Sequence, residues 1–470
     1  MTDRREIPAP GVGNPAAFSM SWDAKGPGGI SECAVPDGSR LSLEIRAPRR
    51  LGLSAPVRLC LTDDRNGEKK EISLVFDRLE GGDEIYSASV TFDAPALYFC
   101  SLVSDNAEIG VCAGDRAQLL VYDGGYRFSS LLCGGIMYQI FTDRFYRSPR
   151  FEPRPKPGTV MNGDWDGGIP KYAPKPGGEV DNNDFFGGSL YGVTDKLDYL
   201  VSLGVTAIYL NPVFDAHTNH KYDTSDYETV DPMFGGEKAL EELIGEAKKR
   251  GISVILDGVF NHTGADSRYF NKLGRYKGKG AYQSKSSPYY DWYDFRKWPD
   301  DYACWWGVKL LPATREESSF PEYIEGIVAG MTEKGVAGWR LDVADELSDG
   351  FIRGISAAAR GKNGRSVIIG EVWEDASNKI AYDVRRRYLQ GGELDSVMNY
   401  PLRSAVVSFV TGGGAEDFAE KAGTIYSHYP RAVCDSLMNF LGTHDTMRII
   451  NTLSPASWKN DLPDNDTLAS

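Results

Sequence analysis

From Gly134 onward the chain repeats one pattern, a short apolar run followed by a helix-length amphipathic segment. The apolar runs are GIMYQIF (135–141), VTAIYL (205–210), ISVILD (252–257), 336–341, SVIIGE (366–371), 394–398 and 436–441. Segments 194–203, 238–250, 323–334, 351–360, 377–389 and 417–428 have helical spacing. Strands that alternate with helices pair in parallel, because the crossover helix returns the chain to the same end of the sheet. Seven strands in this register predict an α/β fold, a (β/α)8 TIM barrel. In that fold the reactive groups sit in loops at the C-terminal strand ends.

Those ends are where the chemistry-bearing residues fall. Asp257 closes the third strand, with Asn261 and His262 after it. Asp342 follows the fourth strand, Glu371 closes the fifth, and His444 and Asp445 follow the seventh. The second strand leads to Asn211 and HKYDTSDY (220–227). The chain has five His, and four of them lie in such loops beside these acids, a gathering that solvated loops do not produce. In VAGWRLDVADE (336–346), Arg340 and Asp342 are two apart and share one face of a strand. A guanidinium there favours the ionised carboxylate, as a nucleophile requires. Taken alone, the pair reads equally well as an ordinary ion pair at a strand end.

Residues 39–128 read differently. Short β-prone runs such as SRLSLEIRA, PVRLCLT and EIYSASVTF alternate with turn signals. This predicts an antiparallel β-sandwich over 31–130, after a Pro/Gly-rich leader over 1–30 and before the catalytic unit over 131–470. The sandwich carries no acid or His cluster. Its expected role is structural, with sugar binding or dimerisation as the sharper alternative.

Aromatic residues are abundant, with 9 Trp, 25 Tyr and 20 Phe, and their faces suit sugars and bases alike. The net charge of -14 decides against nucleic acid as a partner. No run of 18 apolar residues occurs, so no membrane partner is expected. Residues 1–30 lack an apolar h-region, and the seven scattered Cys include no CxxC pair. These features predict a cytoplasmic protein with reduced thiols.

DGVFNH (257–262), GWRLDVADE (338–346), IIGEVW (368–373) and NFLGTHDT (439–446) resemble, in order, the four conserved motifs of the α-amylase family of glycoside hydrolases. GVTAIYLNPVF (204–214) and HKYDTSDY resemble further signatures of that family. Within it, HKYDTSDY, GWRLDVADE and VMNYPLR (397–403) are most similar to the neopullulanase, cyclomaltodextrinase and maltogenic amylase group. DWDGGIP and NNDFFGGSLYG (164–170, 182–192) resemble amylopullulanase-type members. The resemblance implies a retaining hydrolase of α-1,4-glucosidic links, with α-1,6 activity open, acting on maltodextrins, cyclodextrins, pullulan or starch. It implies Asp342 as nucleophile, Glu371 as general acid and base, and Asp445 as the carboxylate that holds the distorted sugar. Arg340 would keep Asp342 ionised, and Asp257 would orient Arg340. His262 and His444 would donate to sugar hydroxyls, Tyr222 would stack under the ring, and Glu346 would bind substrate.

Glycoside cleavage independently asks for one carboxylic acid and one carboxylate with opposed environments. Asp342 beside Arg340 is expected to stay charged. Glu371, next to Val372 and Trp373, is expected to be desolvated and protonated.

The resemblance also implies an inserted domain B over 263–320, rich in aromatics. Most of these are expected to pack a small core, and one or two to line sugar subsites. Three departures stand out. Asp345 replaces the group's Asn, and LLPATR (310–315) replaces its MPKLN-like motif. RSPRFEPRP (147–155) lacks the calcium ligands of many relatives. Calcium is the one candidate cofactor. Its oxygens would come from Asp164, Asp166, Asp181, Asn182, Asn183 and Asp184, residues that suit an ordinary loop equally. Asn261 is a calcium ligand in some amylases and a hydrogen-bonding residue in others. No eighth strand is legible after NFLGTHDT. The expectation is therefore an incomplete barrel with edges at 135–141 and 436–442, prone to aggregation and weakly active. The expected partners are an α-glucan and a second copy of the chain, paired through the N-terminal domain. Glucan transglycosylation and non-catalytic glucan binding are the alternatives.

Overall fold

In the N-terminal sandwich, alternation decides which residues go inside. Along Arg40–Pro48, Leu41, Leu43, Ile45 and Ala47 are buried while the residues between them face outward. The computed structural model describes residues 18–23, 33–105, 107–111, 118–172 and 180–453. Two sheets face each other. One runs in the order Ser19–Asp23, Arg40–Pro48, Asp83–Thr91 and Val75–Glu80. The other runs Ala34–Pro36, Gln118–Tyr122, Ala96–Ser104, Val57–Asp63 and Lys69–Ser73, with Ala107–Val111 on Ala96–Ser104. Ser19–Asp23 lies within the expected leader but is a strand, paired antiparallel with Arg40–Pro48. Apart from the buried Phe18, the rest of that leader lies outside the described residues.

The second unit holds a parallel sheet of six strands in chain order: Met137–Ile140, Ala207–Leu210, Ser253–Gly258, Gly338–Leu341, Val367–Gly370 and Ser396–Val397. The second, fourth and fifth are buried at every residue, as expected of strands covered on both faces. Gly338 has a packing reason. A Cβ there would stand 2.4 Å from Val367 Cγ1 and 2.5 Å from its carbonyl oxygen. Helices Gly236–Lys249, Phe320–Glu333 and Asp349–Lys362 cover the outside through faces built on Leu240 and Leu243, Ile324 and Val328, and Ile352 and Ile355.

Three expectations are corrected. Segment 436–441 is not a strand, and contributes one parallel bridge, Met398 with Met438. Segment 194–203 is two short helices, Leu190–Asp195 and Leu197–Ser202, broken at Lys196. Segment 377–389 is not a helix. It holds a two-stranded hairpin, Ile380–Ala381 against Val384–Arg385. Its two-residue turn, Tyr382 and Asp383, has positive φ at both residues (51° and 63°), the signature of a type I′ turn. Helix Tyr400–Val410, absent from the expected elements, follows the sixth strand.

Among the described residues the parallel sheet is open. A cavity of about 350 Å³ lies between the first strand and 437–442, lined by Met137, Gln139, Leu437 and Met438. The sandwich is docked on the second unit. Ala34, Leu97 and Leu120 share a buried cluster with Ile425, Tyr429 and Val433.

Candidate active site

Strand register places the acids. Asp257 is the lateral partner of Arg340, and Leu341 that of Gly370. The ladder runs one step past the strands, since Asp342 N–H donates to Gly258 O and Glu371 N–H to Leu341 O, both at 3.0 Å. Asp342 and Glu371 are therefore fixed by backbone bonds at one rim.

Arg340 is the centre of the floor, fully buried, with its side chain aimed along the same face as Asp342. Its Nη1 donates to Asp257 Oδ1 at 2.9 Å and Asp342 Oδ1 at 2.8 Å. Its Nη2 stands 2.8 Å from Glu371 Oε2 and 3.6 Å from Asp445 Oδ2. Its Nε donates to Met398 Sδ at 3.5 Å.

One cation thus faces four carboxyl groups. Burial pushes Asp342 well above the usual carboxylate range. Arg340 opposes this, while the charges of Glu371 and Asp257 add to it. Asp257 is raised by burial against the pull of Arg340. Asp445 is pushed up to about 6 by burial, with Arg340 opposing and Glu371 and Asp257 adding. The sequence placed Arg340 beside Asp342 alone, whereas the same guanidinium also reaches Glu371. Protonation belongs to the cluster as a whole.

Glu371 has two further partners. Val343 N–H donates to its Oε2 at 2.9 Å and Trp373 Nε1–H to its Oε1 at 3.0 Å. Val343 stands at φ +44°, a region a β-branched residue seldom enters. That turn aims its amide at Glu371.

A second set of residues surrounds Tyr222. Gln139 Nε2–H donates to His444 Nδ1 at 2.6 Å and to Asn211 Oδ1 at 3.1 Å. With Nδ1 accepting, the His444 proton sits on Nε2 and donates to Tyr222 Oη at 2.6 Å. Tyr222 O–H then donates to Asp257 Oδ2 at 2.7 Å, and Tyr209 O–H donates to the same oxygen. Burial, with Arg340 nearby, pushes His444 down to about 3, so the ring is neutral in this chain of bonds. The Tyr222 ring stacks on His444 at 5.3 Å. His262 Nε2–H donates to the Tyr222 carbonyl at 2.9 Å, and burial pushes this ring down to about 4. Its Nδ1 is buried without a hydrogen-bond partner. Each imidazole thus spends its one proton within the protein, where the sequence reading had both donating to sugar hydroxyls. The loop that presents Tyr222 is anchored by the fully buried Lys221, 2.6 Å from Asp231.

Glu346 lies on the wall rather than the floor. Its Oε1 accepts from Tyr382 Oη at 2.7 Å and Trp306 Nε1 at 3.1 Å, and its Oε2 from Asn261 Nδ2 at 2.9 Å. Asp345 is 2.8 Å from Tyr388 Oη and 3.1 Å from Lys379 Nζ. From 263–320, Phe270, Trp292, Tyr293 and Tyr302 pack inward, while Trp305 and Trp306 reach the cleft. The cleft has a volume of about 1030 Å³. Tyr222, His262, Asp342, Glu346, Glu371, His444 and Asp445 line it, with Asp257 and Arg340 beneath. Gln139 and Tyr209 were missed as site residues. Gln139 had a signal, being the one polar side chain in GIMYQIF.

Of the residues offered for calcium, Asp164, Asn183 and Asp184 have side-chain oxygens engaged within the chain. Asp184 accepts from Lys171 N at 2.9 Å and Asn219 Nδ2 at 3.0 Å, Asp164 from Gly167 N at 2.9 Å, and Asn183 from Lys171 Nζ at 2.8 Å. Among the described residues no group of three or more His, Cys, Asp or Glu gathers to hold a metal ion, and no step below runs through one.

The profile of the family described as "Alpha amylase, catalytic domain" matches residues 139–465. An amylopullulanase of Thermoanaerobacterium saccharolyticum is 33% identical over 487 aligned positions, covering 89% of this chain and 37% of that protein. A maltogenic alpha-amylase of Bacillus acidopullulyticus is 35% identical over 327 positions, 67% of this chain and 50% of the relative. The chain thus spans half or less of the length of these relatives. Among solved structures, the type III pullulan hydrolase from Thermococcus kodakarensis is similar at TM-score 0.60 and 27% identity, over 93% of this chain and 74% of the other.

Proposed function

The chain belongs to the alpha-amylase family, and from that premise we propose that it hydrolyses α-glucosidic links in α-glucans by double displacement with retention. The observation that carries this reading is the Arg340 guanidinium touching Asp342 and Glu371 together at the floor of the cleft. In the first half-reaction Glu371 gives its proton to the glycosidic oxygen as Asp342 Oδ attacks the anomeric carbon. The C–O bond to the leaving sugar breaks, and a glycosyl ester forms on Asp342. In the second, Glu371 takes a proton from water, which attacks the same carbon and frees Asp342. Asp445, near Arg340 and 3.2 Å from His444 Nε2, would hold hydroxyls of the sugar at the cleavage point.

The names of the relatives support 1,4 and 1,6 links, with maltodextrin, cyclodextrin and pullulan as candidate substrates. Three exposed or half-exposed aromatics in the cleft, Trp306, Trp373 and Tyr382, favour a second reading in which a sugar hydroxyl replaces water as acceptor. Incubation with maltotriose, pullulan and cyclodextrin, followed by product sizing, separates the two. Asp342→Asn should lower turnover by about 10³-fold or more on every substrate that is cleaved. Turnover retained in a folded Asp342→Asn variant overturns the assignment.

No described helix is long and apolar enough to cross a membrane. A cytoplasmic site is supported by the exposed Cys133, which stands as a free thiol. Pairing of two copies through the N-terminal domain is supported by Val75, Phe76 and Leu79, exposed on the sheet-edge strand Val75–Glu80. Sedimentation of Phe76→Asp against the unaltered chain tests it.

A further inference from the structure

The hairpin turn at Tyr382 and Asp383 is the least expected piece of backbone near the cleft. Neither residue is Gly or Asn, yet both stand at positive φ. Such turns persist where the surroundings over-determine them. The surroundings here belong to the other domain. Arg385, the last residue of the hairpin, donates from Nε and Nη2 to Asp64 of the sandwich at 2.7 and 3.0 Å, a bidentate pair. Gln118, buried in a sandwich strand, uses both ends of its amide. Its Nε2 donates to Ser377 Oγ and its Oε1 accepts from Asn378 Nδ2, each at 2.7 Å. Arg385 Nη1 also donates to the Asn378 carbonyl, which closes the base of the hairpin. On its far side the hairpin presents Lys379 to Asp345 and Tyr382 to Glu346, and all four line the cleft.

We propose that the N-terminal sandwich positions this wall. Asp64 and Gln118 hold the 378–385 segment so that Lys379 and Tyr382 meet sugar units beyond the one attacked by Asp342. The sandwich thereby sets preference for chain length without touching substrate. The proposal rests on the α-glucan reading above. Asp64, Gln118 and Arg385 are positioning residues, since each acts through the hairpin.

The test uses the whole chain, its Asp64→Ala variant, and the charge exchange Asp64→Arg with Arg385→Asp. Hydrogen exchange at 378–385 is compared first, since it needs no turnover. It should quicken in Asp64→Ala and return toward the original in the exchanged pair. Kinetics follow on maltohexaose and on an activated aryl α-glucoside, whose single sugar stops at the acids. KM for maltohexaose should rise about fivefold with kcat steady, and the aryl glucoside should be unaffected. Unchanged exchange in Asp64→Ala overturns the positioning claim, and so does an unchanged maltohexaose KM. Equal losses on both substrates with a lowered melting temperature show a purely structural contact and overturn it too. If the unaltered chain cleaves no glucan, the functional reading fails by itself, and the exchange arm still decides whether the sandwich holds the hairpin.

Discussion

The floor of the cleft and its hairpin wall are built in opposite ways. On the floor, Arg340, Asp257, Asp342 and Glu371 are less than 9% exposed, and the backbone of adjacent strands fixes them. On the wall, Tyr382 is 69% exposed, its turn is unfavourable for its own residues, and contacts from a domain more than 250 residues away hold it. Position on the floor comes from local secondary structure, and on the wall from docking. The floor should therefore fail abruptly when a partner is lost, and the wall should fail by degrees.

The sharpest way to break that contrast is Arg340→Met. It leaves Asp257, Asp342 and Glu371 facing one another without a cation, and should cost about 3–5 kcal/mol in urea unfolding as well as activity. A loss below about 1 kcal/mol would make the floor no more cooperative than a surface pair.

His262→Gln comes next. His262 is held neutral, its ring at about 4 against an ordinary 6.5. The unfolded chain therefore binds the extra proton first. The contribution is whole above about pH 6.5 and is lost as pH falls toward 4, up to about 3 kcal/mol. The unaltered chain should lose more stability than the variant between about pH 7 and 4.5, in paired melts. Equal losses would mean His262 is protonated in the folded state.

The smallest effect belongs to the wall. Tyr382→Phe removes one exposed hydrogen bond to Glu346, and should raise KM for long maltodextrins about threefold, near 0.7 kcal/mol, with kcat unchanged. A collapse of kcat would place Tyr382 with the floor.

The same contrast explains what was legible in the sequence. Asp257, Arg340, Asp342 and Glu371 could be read because short buried strands end where the acids begin, and spacing within a strand fixes the face. The parallel order of the six strands followed from the same alternation. The hairpin was read as helix because 377–389 has no Asn-Gly or Asp-Gly to announce a type I′ turn, and Asp64 and Gln118 are remote in sequence. The sharing of Arg340 between Asp342 and Glu371 was also out of reach. Neighbours in sequence showed Arg340 beside Asp342, whereas only the register of the fourth and fifth strands brings Glu371 to the same guanidinium. Segment 436–441 has a strand's composition but makes a single bridge, which composition cannot reveal.

That shared guanidinium would also give the proposed reaction a sense of timing. When the sugar becomes esterified to Asp342, the charge on that oxygen disappears, and the anion that Arg340 serves moves to Glu371. This happens just as Glu371 has handed over its proton and must remain a base until water arrives. The completion of the first half-reaction is thus signalled to the second through one rigid group, with no moving part between them.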